Sequence, residues 1–386
     1  MKRMKQIRTA AVLAAAGALL NTSVMGWGKD VEQEPVAAEA GEGSAIQLAV
    51  LLDTSGSMRG LIEQTKSQLW SIVNQFVGAK QKGKTPFVQV ALYQYGNDGL
   101  AGETYWVQRI LPLTRDLDKV SEELFKLKTN GGSEYCGAVI ERATLDLAWD
   151  SSPDVYKAIF IAGNEPFTQG PVDPLDTCKA AISKGIIVNT IHCGPEAKGV
   201  EGKWKQGALL ADGGFFVIDQ NRTLVSIDAP QDKEIAKLNG AFNDTFITFG
   251  DLGAESKLRQ LAQDANAANL SARARTKASV NYSNARWDLV DACKDMKFKL
   301  EEVKVEHLPE EMRKLKPAER RAYVKKKAAE RKKISEELLA LTKKRETYVA
   351  AKRKELSEDE DDTLGAAVTK AVRDQAVKKA ITFDTK

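Results

Sequence analysis

In the stretch "AIQLAVLLDTSGSM" an apolar run stops at Asp53, and Ser55 and Ser57 follow at alternating positions. In extended backbone, residues i, i+2 and i+4 point to the same side. One carboxylate and two hydroxyls so spaced present three hard oxygens to one point. Mg2+ suits such a set, because it takes octahedral oxygen coordination and keeps several waters, so few protein ligands suffice. Mn2+ or Ca2+ accept the same donors. Gly56 allows a tight turn, and the start of the following helix turns backbone N–H groups toward the carboxylate. The purely structural use of the same residues is a serine-rich turn in which Asp53 caps that helix.

The flanking segments must put these oxygens at an edge. "AIQLAVLL" is a continuous apolar run, as in a strand covered on both faces. "RGLIEQTKSQLWSIVNQFVGAK" then places Leu61, Leu69, Ile72, Val73 and Phe76 near one helical face. "PFVQVALYQYG" and "TYWVQRILPLT" read as a hairpin that adds an antiparallel edge strand. "YKAIFIAG" and "IIVNTIHC" are further buried strands, separated by the helix "PLDTCKAAISKG" with Gly185 at its C-cap, and "FFVIDQ" is a last strand. The alternation predicts an α/β fold over residues 45–220, a doubly wound, mostly parallel sheet with helices on both faces. In such sheets the ligand site lies at the C-terminal ends of the strands.

Over about Ala45 to Gln220 the chain resembles the von Willebrand factor type A (VWA) domain family, and "DTSGSM" is similar to the start of that family's metal-ion-dependent adhesion site (MIDAS). The resemblance implies that Asp53, Ser55 and Ser57 bind a divalent cation with a hydroxyl from a second loop and a carboxylate from a third. It also implies a protein partner whose exposed acidic side chain completes the coordination. Where the family reads G-G-T in the second loop, "TNGGSEYC" has Gly131, Gly132 and Ser133, so Ser133 keeps a hydroxyl oxygen. Where the third loop often reads T-D-G-E-P, "IAGNEPF" aligned on Glu165 and Pro166 puts Gly163 at the Asp position. Asn164, with its amide oxygen, and Glu165, with its carboxylate, are the two candidates for that ligand. "GNEPFTQGP", "VNTIHCG" and "LADGGFFVIDQN", with a charged helical tail, also resemble exported bacterial VWA proteins.

Beyond Asn221 the chain turns helical, with a connector expected over 221–284 and a long-helix, coiled-coil-like region over 285–386. Leu289, Cys293, Met296, Leu300 and Val303 recur at 4-3-4-3 spacing, a coiled-coil-like seam in which Cys293 would be a small buried apolar residue. Pro317 opens a long helix that runs to about Leu356, and a final helix follows "SEDEDD". These segments are expected to form a helical hairpin or stalk and a surface for self-association. From Leu308 to Leu356 there are 17 Lys and Arg against 8 Asp and Glu, although the net charge of the 386 residues is only +4. Without interleaved aromatics this reads as a solvated basic face open to contact with the cell envelope, not as a nucleic-acid surface.

"MKRMKQIRTAAVLAAAGALL" has a basic start and an apolar stretch shorter than the roughly 20 residues that span a bilayer, so it reads as a signal peptide ending near Gly26 or Ala38. Residues 27–44 follow as a tether, and the protein is expected in the periplasm or secreted. In that compartment disulfides form. Cys178, early in its helix, and Cys193, at the end of the next strand, should meet at one sheet edge, with Cys136 as a rival partner. A zinc site built from these three and His192 is a weaker alternative, because adjacent strand residues face opposite ways. Enzyme signatures are missing: position 55 is Ser where an Asp-nucleophile phosphotransferase needs D-x-D, no G-x-S-x-G occurs at Ser57, and His192 and His307 are the only histidines. Binding is therefore expected rather than catalysis. A metal-free envelope scaffold and a metal-dependent hydrolase are the alternatives.

Overall fold

The computed structural model describes residues 45–219, 221, 226–356 and 363–383. The expected signal peptide and tether lie outside the described residues. In chain order the sheet domain contains β1 (Ala45–Asp53), α1 (Arg59–Val73), the short β2 (Lys80–Gln81), β3 (Phe87–Tyr95), β4 (Val107–Thr114), α2 (Leu117–Lys126), α3 (Cys136–Asp146) and β5 (Tyr156–Gly163). It continues with α4 (Pro174–Ser183), β6 (Ile187–Cys193), α5 (Glu196–Glu201), α6 (Trp204–Leu210) and β7 (Phe215–Ile218). The helical part comprises α7 (Asp232–Asn243), α8 (Gly253–Asn266), α9 (Leu270–Ala278), α10 (Leu289–Ala292), α11 (Glu310–Arg313), α12 (Pro317–Leu356) and α13 (Leu364–Ala376), before a final short β8 (Ile381–Thr382).

Six strands form one sheet in the order β4-β3-β1-β5-β6-β7. β1 pairs in parallel with β3 and β5, β5 with β6 and β6 with β7, while β4 runs antiparallel on the edge. β1 is thus central, which is why it is apolar up to Asp53 apart from Gln47, whose buried amide donates to Gln89 Oε1 of β3 (2.9 Å) and accepts from the Asp150 N–H (2.8 Å). Ile46, Leu48 and Leu52 enter one core with Leu61, Leu69 and Trp70 of α1 and Val120 of α2. Ala49 and Leu51 enter the opposite core with residues of α3, α4 and α6. The doubly wound, mostly parallel sheet predicted from the alternation is the observed fold.

The C-terminal segments depart from a projecting stalk. α13 returns to the sheet, and its Leu364, Val368, Ala371 and Val372 complete the first core beside α1. The Gln375 side chain fixes its position: Nε2 donates to Asn189 Oδ1 of β6 (2.5 Å), and Oε1 accepts from Asn189 Nδ2 (3.1 Å) and from the Tyr156 hydroxyl of β5 (2.8 Å). β8 then pairs with β2. α12 has the expected bounds and lies against α7, α9 and α10. Its buried contacts recur every seven residues as Val324, Arg331 and Leu338, and Arg345 continues the row half-buried. The two arginines made that row hard to see in the sequence. Arg331 Nη1 donates to Asp288 (2.6 Å) and Asp291 (3.1 Å), and its guanidinium stacks on Phe246 with 3.9 Å to the ring centroid. Arg345 pairs with Asp232.

The proposed seam from Leu289 to Val303 does not form. α10 is a single turn capped by Asp288, and the chain then bends, leaving Cys293 exposed and Met296 100% exposed. Asp288 and Asp291 are spent on Arg331, so the spacing never belonged to one continuous helix.

A second buried arginine joins the helical part to the sheet domain. Arg273 of α9, fully enclosed, donates to Asp118 of α2 (2.8 Å), to Asp264 of α8 and to the Gln260 carbonyl (2.9 Å), and lies over the Trp70 ring. Lys277 reaches the same Asp264 (2.8 Å) and the amide oxygens of Asn239 (2.8 Å) and Asn243 (2.5 Å). Removing one partner of such a pair leaves the other charge buried without compensation, at a cost of roughly 3–5 kcal/mol. Arg273→Ala is therefore expected to lower the unfolding free energy by about that amount, as measured by urea denaturation. Deleting residues 357–386 strips several buried aliphatic side chains from the sheet, each contributing about 1.5–3 kcal/mol. The shortened chain should lose cooperative unfolding and bind a hydrophobic dye.

Candidate metal centre

Asp53 closes β1 with its side chain on the same face as Ala49 and Leu51, fully buried between the ends of β3 and β5. Its Oδ1 accepts the Ser55 N–H at 2.7 Å. Its Oδ2 is buried and receives no hydrogen bond. A Cβ built on Gly163 would stand 3.1 Å from that oxygen and 2.5 Å from the Tyr95 hydroxyl, which donates to the Ala162 carbonyl (3.0 Å). Tyr95 thus occupies the space that a side chain at position 163 needs, which accounts for the glycine where the family's pattern has Asp.

Ser55 and Ser57 lie together, Oγ to Oγ 3.2 Å, with Ser55 buried and Ser57 exposed at the lip. Asn164 meets them from the third loop, its Nδ2 donating to Ser57 Oγ at 3.2 Å. Glu165 is exposed on the rim and makes no hydrogen bond to Asp53, while its carbonyl accepts from Trp204 Nε1 (2.8 Å). The second loop is tied to the first by Asn130 N–H donating to the Thr54 carbonyl (3.0 Å). It also presses on the β3 end: a Cβ on Gly132 would stand 2.2 Å from the Gly96 carbonyl, so only glycine fits there. Ser133 is half-buried on this loop, and among the described residues no hydrogen bond joins it to Asp53, Ser55 or Ser57.

The residue after Ser133 does reach the centre. Glu134 is 7% exposed, its Oε2 accepts from Gln169 Nε2 of the third loop (3.1 Å), and the Ser55 hydroxyl stands against both its carboxylate and that of Asp53. A Cβ on Gly96 would touch Glu134 Cγ at 2.8 Å and Asp53 Oδ1 at 3.1 Å, so the two acidic side chains flank one glycine. Reading the second loop for its hydroxyl passed over Glu134, although it is the only carboxylate between the two glycines and α3.

Burial pushes the Asp53 carboxyl up to about 7, against the Ser55 N–H and hydroxyl, and the charges of Glu134 and Glu165 add to the rise. Burial raises Glu134 as well. Among the described residues no three His, Cys, Asp or Glu side chains form a metal cage. The donors here are instead two buried carboxylates with hydroxyls and an amide, a hard-oxygen set that suits Mg2+. The oxygen of Asp53 that lacks any donor fits a cation.

The expected disulfide is corrected. All four cysteines are free thiols. Strand alternation sends Cys193 into the core beneath α1 and α13, whereas Cys136 and Cys178 lie in the core on the other face of the sheet. Cys136 Sγ instead donates to the Tyr95 hydroxyl (3.8 Å). Burial raises all three thiol pKa values, that of Cys178 to about 12.

A linkage prediction follows from Asp53. Between about pH 4 and 7 the folded chain keeps a proton on this carboxyl that the unfolded chain has released. Without metal the fold therefore loses stability as pH rises through that window, by roughly 4 kcal/mol at most. Urea unfolding in EDTA is expected to give lower stability at pH 8 than at pH 5, and Asp53→Asn is expected to remove most of the difference.

Residues 47–214 match the family model of the von Willebrand factor type A domain. A search of curated proteins gave no match. Among solved structures, the chain is similar to proximal thread matrix protein 1 from the mussel byssus with a zinc-occupied MIDAS motif (14% identity, TM-score 0.35). That match covers 45% of this chain and 42% of the mussel protein. BatB from Bacteroides thetaiotaomicron is 18% identical over 45% of this chain and 91% of its own, with TM-score 0.35. An aerotolerance-related membrane protein from Bacteroides fragilis is 16% identical over 46% of this chain and 94% of its own, with TM-score 0.32. Residues 47–214 of the chain are therefore a von Willebrand factor type A domain.

Proposed function

We propose that this chain is an exported binding protein that captures a protein partner through a divalent cation held at the C-terminal edge of its sheet. The observation that carries the reading is Asp53, whose buried Oδ2 has no donor and lies beside Gly163, at the same sheet edge where Ser55, Ser57 and Asn164 are linked to one another. Asp53, Ser55 and Ser57 would hold the ion, with Asn164 offering an amide oxygen and Ser133 and Glu165 at the margin. Mg2+ is the preferred ion, and Mn2+ or Ca2+ suit the same donors. When bound, the ion supplies an open coordination position for an acidic side chain of the partner.

This chain's own residues prepare that position. The Ser55 N–H fixes one oxygen of Asp53, Tyr95 and Gly163 close the floor, and Ser57 and Asn164 orient each other at the lip. The VWA domain is a protein-interaction fold, which supports binding over catalysis. So does the placement of the two histidines. His192 is buried against Trp204 with neither ring nitrogen hydrogen-bonded, and His307 lies near Asp251 (3.5 Å) in the helical part. Neither offers a general base at Asp53. Export rests on the basic and apolar pattern of the first twenty residues. Among the described residues no helix is long and apolar enough to cross a membrane. The exposed lysines of α12, among them Lys325, Lys326, Lys332 and Lys333, offer a second surface for contact with the envelope or with another copy.

Calorimetric titration of the mature chain with Mg2+ and Mn2+ tests the reading. One saturable site is expected, lost in Asp53→Ala, whose melting temperature in EDTA should equal or exceed that of the parent. Absence of saturable binding in the parent chain would overturn it.

A further inference from the structure

We propose that Glu134 is the second carboxylate of the cation site, supplied by the second loop in place of the one that Gly163 leaves out of the third. The inference rests on the reading of the Asp53 edge as a cation site and goes beyond it by assigning the charge of the ligand set.

Asp53 and Glu134 are each more than nine-tenths buried, they flank Gly96, and both stand against the Ser55 hydroxyl. Among the described residues neither carboxylate has a Lys or Arg partner. Elsewhere this chain pairs its buried acids: Asp118 and Asp264 with Arg273, Asp288 and Asp291 with Arg331. Two like charges brought out of water without a counter-charge are costly unless a cation or a proton neutralises them. A shared proton requires the carboxylates to hydrogen-bond each other. They do not, and Asp53 Oδ2 has no hydrogen-bond partner of any kind. A divalent cation carries the charge that two carboxylates balance.

The backbone places Glu134 for this task. The Gly131 carbonyl accepts from the Asp98 N–H (2.5 Å), and Gly132 packs where no side chain fits. The residue that follows Ser133 is thereby turned under the loop. Gln169 donates to Oε2 (3.1 Å), which orients the carboxylate. The loops have thus exchanged roles. The second supplies the anion, and the third supplies the neutral amides of Asn164 and Gln169. Gly163 is tolerated because the charge expected of it arrives from position 134.

The test is Mn2+ titration by calorimetry of the full mature chain and of single variants, each checked for folding by thermal melting in EDTA. Glu134→Gln is expected to weaken Mn2+ binding by at least about 10- to 100-fold, with a melting temperature in EDTA equal to or above the parent's because a buried charge is gone. Glu165→Gln, on the exposed rim, is expected to change affinity by less than about fivefold. If Glu134→Gln does not fold, Glu134→Asp carries the test, and its withdrawn carboxylate should also weaken binding. Undiminished affinity in the folded Glu134 variant, alongside binding lost in Asp53→Ala, overturns this assignment and leaves the cation site standing. No binding by the parent chain removes the cation site itself.

Discussion

A carboxylate oxygen without a donor, at the end of the central strand, is the constraint around which the sheet edge is arranged. Asp53 belongs to a strand apolar on both faces, so its charge is presented where water cannot reach it. One oxygen is satisfied by the backbone of the turn it begins, and the other faces Gly163 and the Tyr95 hydroxyl. Everything nearby answers that charge. Ser55 turns in, the glycines at 96, 132 and 163 let three loops close over it, and among the described residues no Lys or Arg pairs with it. An edge that spends burial on anions and offers only hard oxygens is organised for a small cation.

The helical part obeys the opposite rule. There, among the described residues, the buried charges of Arg273, Lys277 and Arg331 are answered by carboxylates of the chain itself. Arg273 joins α9 to α2 and α8, and Arg331 and Arg345 join α12 to the segments before it. Arginine suits this role because its planar guanidinium donates to several acceptors at once and stacks on aromatic faces, here Trp70 and Phe246. The helical part is therefore bound to the sheet domain by charge pairs, and α13 binds it a second time by filling the sheet's own core. The long helix is a brace lying along the molecule, not a stalk.

Much of this was legible residue by residue. The run from Ala45 to Leu52 announced a central strand, Gly185 ended a helix in the left-handed conformation it was expected to supply, and Pro317 and Leu356 bound the long helix as read. Ser55 binds Asp53 through its N–H and lies beside Ser57, and Asn164 donates to Ser57, while among the described residues Ser133 makes no hydrogen bond to them and Glu165 is exposed on the rim. The misread elements share one cause. Cys178 and Cys193 were matched by their distance along a sheet edge, yet alternation put them on opposite faces. Leu289, Cys293 and Met296 were matched by period, yet no continuous helix carries them.

By itself, then, the sequence determined what depends on neighbours in the chain: strand burial, helix bounds, the turn that aligns one carboxylate with two hydroxyls, and the membership of residues 47–214 in the VWA fold. Tertiary structure alone decided which charges are answered and by what. Glu134 comes beside Asp53 because two loops eighty residues apart close on Gly96, and Arg331 is a core residue because Asp288 and Asp291 reach it from another helix. Periodicity registers apolar surface, whereas the energy of a buried charge is set by partners distant in sequence, and those become visible only once the chain has folded.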